Sequence, residues 1–158
     1  VVLLSYAIEP LMWASDFPQE VQEQIGEIPP EILPLGLGVF FLIIFCTIVF
    51  PIRMNREMFL TTEKVPSYWN LFLNAFIVLN FMNLWDALIV DILIFDLFKP
   101  DFMVIKGAEA YIEEYVNAAF HFTAFVKGLP WLAGMGAISA GISYYFHRKR
   151  HNKAAVST

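Results

Sequence analysis

Three stretches of this chain carry no charge at all: Pro34 to Ile52, Val65 to Trp85 and Gly128 to Phe146. Each has about 20 residues, the length an α-helix needs to cross a hydrocarbon core of about 30 Å at about 1.5 Å per residue. A soluble bundle would need a polar face on each helix, and these runs lack one. Composition points the same way: 58% of the 158 residues are hydrophobic and 16% are charged, where a soluble domain is about half apolar and about a quarter charged. The expected fold is all-α: a polytopic integral membrane protein with three full transmembrane helices plus a short or truncated N-terminal one, a four-helix bundle in all.

The chain reads as a single membrane domain over residues 1–158. Residues 1–14 are apolar but too short to span, and read as the outer end of a helix whose beginning precedes Val1, or as an interfacial segment. A polar, proline-containing stretch over 15–33 leads to a span over 34–53. After a basic loop, Ser67 is placed to cap a long helix over 67–98. Pro100 and Gly107 break the chain before an amphipathic outer segment over 108–118. A last span over 119–146, kinked or broken near Pro130, precedes a tail over 147–158.

Seven of the ten basic residues lie in 53–64 and 147–153, whereas residues 1–33 hold six acids and no Lys or Arg. Positive charge stays inside, so the protein is expected in the cell membrane with its C-terminus cytoplasmic. Tyr68, Trp69, Tyr144 and Tyr145 would form the inner aromatic belt. Ala133, Ala137 and Gly141 share one helical face, Gly136 and Ala140 another, and small residues at this spacing let backbones approach closely. Tight packing inside the chain is the simpler use of them than a dimer face. The lone Cys46 excludes an intramolecular disulfide.

The segment NLWDALIVDILIFDLF, residues 83–98, sets three aspartates in an otherwise apolar helix. With α-helical rise, Asp96 falls at the headgroups, Asp91 near the outer hydrocarbon boundary, and Asp86 roughly 18 Å below Phe98. At 100° per residue Asn80, Asn83 and Asp91 share an arc of about 80°, which Asp86 widens to about 140°. Such a stripe should face protein or water rather than lipid. Lys127 is the lone basic residue in a predicted span. Antiparallel matching of helix ends brings it level with residues 86–88, so an Asp86–Lys127 pair is expected, with Asp91 as the second choice. Asn80, Asn83 and the Val126 carbonyl freed by Pro130 would supply the hydrogen bonds that a pair in low dielectric needs.

Glu109, Glu113, Asn117 and His121 recur every four residues, one face if the segment is a continuous helix. Carboxylates with an imidazole can relay protons or bind a divalent ion, although neither HExxH nor Glu-x-x-His spacing is present. A solvated acidic face with an interfacial histidine is the plainer alternative. The glycines of GLG at 36–38 and GMGAISAG at 134–141 lie in apolar spans and read as packing elements. No phosphate loop, nucleophile elbow or CxxC is present, so no cofactor is expected and catalysis has no motif behind it.

The runs FMNLWDALIVDILIF, KPDFMVIKGAEA and YVNAAFHFTAFVKG, within residues 81–128, resemble a set of small bacterial integral membrane proteins of unknown activity. Their pattern is an Asn-x-x-Asp-x-x-x-x-Asp helix, a Pro-x-Phe-x-x-x-x-Gly-x-Glu loop and a Phe-His…Lys-Gly span. The matching positions are Asn83, Asp86, Asp91, Pro100, Phe102, Gly107, Glu109, Phe120, His121, Lys127 and Gly128. Ala108 stands where the pattern has Thr. The resemblance implies a four-helix membrane fold and does not point to any activity.

Three function classes survive. The favoured one is an accessory, assembly or structural subunit acting through helix–helix contacts, with a buried Asp–Lys site as glue. The alternative is a proton- or ion-coupled transporter or channel component using Asp86, Asp91, Lys127 and His121. A metal-dependent membrane enzyme is third. Expected partners are the lipid bilayer and other membrane subunits or a second copy, and no nucleic acid, since no basic stripe exists beyond the short tail.

Overall fold

In the computed structural model, residues 2–59 and 65–156 are described; residues 60–64, which include Lys64 of the basic loop, lie outside the described residues. Among the described residues the fold is all-α. Three helical stretches are long and apolar enough to cross a membrane: Leu33–Met58, Tyr68–Phe98 and Ala118–Asn152. Their side chains are largely uncovered by protein, with Phe41, Phe45, Ile77 and Phe81 all exposed, as lipid-facing surfaces require. The chain packs as two compact units, residues 1–43 with 84–126 and residues 44–83 with 127–158.

The first unit begins with α1 (Val2–Ile8), a 3-10 turn (Pro10–Asp16) and α2 (Gln19–Ile25). α1 stops because the residue before a proline is driven out of helical conformation. That residue, Glu9, is extended, and its carboxylate accepts the Leu11 N–H at 3.1 Å. The predicted single helical end over 1–14 is therefore two short elements. Gly26 ends α2 at φ 75°, ψ −151°, a conformation essentially restricted to glycine. The unit also holds the first turns of α3 (Leu33–Met58), a π-helix (Asp86–Phe98), a 3-10 turn (Asp101–Met103), α5 (Glu109–Tyr115) and the start of α6 (Ala118–Val156). Its core gathers Phe17, Val21, Val90, Phe95, Met103 and Ile112.

In the second unit, Ser67 caps α4 (Tyr68–Trp85) as expected, its hydroxyl accepting the Asn70 N–H at 3.2 Å. The apolar core is Leu79, Leu132 and Met135 with Ile44 and Ile48 against it. Gly136 and Ala140 are buried. A Cβ on Gly136 would lie 3.5 Å from the Phe76 backbone nitrogen, so this small-residue face packs within the chain. Asn55 is fully buried and satisfied: its Nδ2 donates to the Leu71 carbonyl and the Ser143 hydroxyl at 3.2 Å each, and its Oδ1 accepts from Asn74 at 2.8 Å. The Tyr68 hydroxyl donates to the Ala137 carbonyl at 3.2 Å. α6 continues through Pro130 and on through the basic tail to Val156, so the helix does not break at Pro130, and the described part of the tail, residues 147–156, is helical.

Candidate functional site

The winding of residues 86–98 decides where the aspartates point. A π-helix bonds i to i+5, so residues five apart line one face, as residues four apart do on an α-helix. Asp86, Asp91 and Asp96 recur at that interval. Wound as an α-helix, successive members would point about 140° apart. Lys99 closes the segment: its N–H donates to the Ile94 carbonyl, five residues back, at 2.9 Å, and its φ is 44°. That left-handed backbone costs a non-glycine residue about 1–2 kcal/mol. The Lys99 Nζ reaches Glu113 at 2.9 Å, an exposed pair.

The opposing element is α6. Asn117 caps it, its Oδ1 accepting the N–H groups of Ala119 at 3.0 Å and Phe120 at 3.3 Å. One turn in, His121 is 6% exposed, with the rings of Phe95 and Phe120 edge-on to its own. Its Nδ1 lies 3.4 Å from Asp91 Oδ2 and its Nε2 lies 3.2 Å from Asp96 Oδ1. Each ring nitrogen thus meets a different carboxylate. A neutral imidazole has one N–H and one lone pair. Both contacts are attractive only when the cluster holds one proton more than neutral imidazole and two carboxylates. That proton has three homes: the second ring nitrogen, Asp91 or Asp96. Delivery of a proton from Asp96 to Nε2, with release from Nδ1 to Asp91, would carry charge across the ring without moving it.

Each side of the cluster has distinct surroundings. Asp96 also lines a cleft of about 540 Å³ together with Lys99, Asp101, Lys106, Glu109 and Glu113. On α1, Tyr6 stacks on Trp13 with ring centroids 5.3 Å apart, and the Trp13 Nε1–H donates to Ser5 Oγ at 3.1 Å. Burial pushes the Tyr6 phenol well above the usual range, and the charges of Asp16, Asp91 and Asp86 push it further. Three carboxylates therefore act on the phenol of one half-buried tyrosine. Asp16 is exposed, and partial desolvation raises it, which the Ser15 hydroxyl partly offsets.

The expected outer face is not continuous. α5 ends at Tyr115 and Val116 is extended, so Glu109 and Glu113 sit on one helix while Asn117 and His121 begin the next. The carboxylate of Glu109 accepts backbone N–H bonds, its own and that of Gly107, which holds it below the usual range. Glu113 is taken by Lys99 and Asn117 by its capping role. Among the described residues no cluster of three or more His, Cys, Asp or Glu is arranged to hold a metal ion.

The expected partner of the aspartates also changes. Asp91 meets His121 rather than Lys127, and Lys127 is exposed and joins none of the ion pairs among the described residues. Asp86 is half-buried. The Asn80 amide donates back to the Phe76 carbonyl at 2.8 Å, leaving its buried Oδ1 without a hydrogen bond. Asn83 lies against Gly128, where a Cβ would sit 3.6 Å from its Nδ2. Asp96 and Tyr6 were missed by α-helical phase and by element length respectively; the fivefold spacing of the aspartates was the signal for the first. No protein-family model, curated protein or solved structure matches the chain.

Proposed function

We propose that this chain is a small integral membrane protein that binds a proton at Asp91–His121–Asp96 and passes it between the Asp96 cleft and the Asp91–Asp86 end of the site. One observation carries the reading: the two nitrogens of a buried imidazole each face a different carboxylate. A purely structural histidine needs one acceptor; two acids at opposite edges provide an entry and an exit. Ionisable groups within membrane-crossing segments belong to proton and ion pathways. Lys and Arg near the helix ends support a cytoplasmic C-terminus in this reading.

The test is proton movement in proteoliposomes carrying an internal pH dye under an imposed gradient. Wild-type vesicles acidify faster than empty ones, and Asp96→Asn and His121→Gln return the rate to that of empty vesicles. Equal rates for wild-type and empty vesicles overturn the proposal. A second reading, an accessory subunit docking through its helices, draws on the sparse protein cover of Leu33–Met58, where 6% of the apolar window is buried. A stoichiometric membrane partner retained in mild detergent, without proton movement, selects it.

A further inference from the structure

The second unit carries a different kind of cleft. It has a volume of about 330 Å³ and is lined by Ile52, Arg56, Ser143, Phe146, His147 and Arg150. Two guanidinium groups and an imidazole face it, and no carboxylate lines it. The nearby acid Glu57 is held by Arg53 at 3.1 Å. Arg56 and Arg150 take part in none of the ion pairs among the described residues. The floor is fixed: the buried Ser143 is held by Asn55 Nδ2 at 3.2 Å, and the His147 ring packs edge-on against Phe59 at 6.3 Å. Ile52 and Phe146 give the cleft an apolar wall.

We infer that this cleft binds the phosphate of an anionic phospholipid, with Arg56 and Arg150 as the phosphate ligands. Arginine matches phosphate geometry with paired N–H donors. The lipid source follows from where the residues lie. Arg56 is in the last turn of the apolar helix α3, and Arg150 is on α6 just past Phe146, where its uncharged run ends and the basic tail starts. A headgroup at that level leaves its first methylenes against Ile52 and Phe146, and basic pockets between transmembrane helices at this level bind such headgroups. Neighbouring Tyr145 is exposed, with the Lys149 ammonium 5.9 Å from its ring centroid, the arrangement of an interfacial anchor. The inference does not depend on proton transfer, since none of these residues belongs to the histidine cluster.

Native mass spectrometry of the full chain in detergent, with phosphatidylglycerol or phosphatidylcholine added, tests it alongside thermal stability in each lipid. The wild type retains phosphatidylglycerol in preference to phosphatidylcholine by roughly tenfold or more. Arg56→Gln with Arg150→Gln abolishes the preference, while Arg148→Gln with Lys149→Gln keeps it. Asp96→Asn keeps it too, which separates this site from the proton reading. Both arginine positions are exposed, and unchanged stability in phosphatidylcholine reports that the variant is folded. Equal losses in the two double variants assign the effect to the charge of the tail and overturn the site. Stabilisation by inorganic phosphate equal to that by phosphatidylglycerol assigns it to a soluble anion and overturns the lipid.

Discussion

The two units solve the same problem, polar side chains on apolar helices, with different chemistry. The second uses neutral groups: Asn55, Asn74, Ser143, Ser139 and Tyr68 tie helix to helix through amides and hydroxyls. Asn55 uses both Nδ2 donor positions and its oxygen, so no ionisation alters the bonds it makes. The first uses titratable groups, Asp91, His121 and Asp96, whose contacts depend on where one proton sits. Polar glue needs every bond fixed, whereas a relay needs one bond partner more than its protons can satisfy at once.

Substitutions break this contrast in order of size. The largest effect is expected at His121. Glutamine there keeps hydrogen bonding but cannot carry the extra proton, and proton movement in vesicles should fall to the rate of empty ones, a loss of roughly a hundredfold or more in the protein-dependent part, with the fold intact by circular dichroism. Next is Asn55→Ala in the neutral network. It removes the acceptor of the Asn74 amide and the donor to Ser143 and the Leu71 carbonyl, and should cost about 2 kcal/mol of stability, read as a lower thermal midpoint in detergent, without changing proton movement per folded molecule. If Asn55→Ala slows proton movement as much as His121→Gln does, the division of labour is wrong.

A smaller effect concerns pH. Asp16 is exposed but partly desolvated, which raises it, so its native form holds a proton more readily than its unfolded form. Its contribution to stability is fully present below the unfolded pKa and lost as pH rises through the raised native one. Asp16→Asn should remove that slope between the two values, leaving the variant slightly more stable than wild type at neutral pH. Thermal midpoints across pH 4 to pH 8, at about one-unit steps, check this. The smallest effect belongs to Lys99→Gly. It relieves a left-handed backbone worth about 1–2 kcal/mol and gives up an exposed ion pair worth about 0–1 kcal/mol. A net gain under about 1 kcal/mol is expected by the same measurement.

Much of the fold was legible in the residues. Charge-free runs located the three membrane-length helices, Ser67 marked a helix start, and small residues at a spacing of four marked the face where Gly136 meets Phe76. The site was legible only in part, because the arithmetic used for it assumed a single winding. Counting 3.6 residues per turn turns Asp96 away from Asp91 and gives Lys127 the task that His121 performs. The same assumption ran the Glu109–His121 spacing through Val116, where the chain is extended. Tyr6 was hidden by scale: a seven-residue helix reads as the end of something longer, and nothing local says that its ring lies near the aspartates.

The five-residue winding has a mechanical corollary. Hydrogen bonds that skip one extra residue hold Asp91 and Asp96 in line with a single imidazole. Were that stretch to tighten into ordinary turns, the two carboxylates would swivel to separate sides of the rod, and the ring would keep one and surrender the other. If the cluster passes protons as proposed, backbone pitch would set the continuity of that path, and a change of twist in residues 86–98 would act as its circuit breaker.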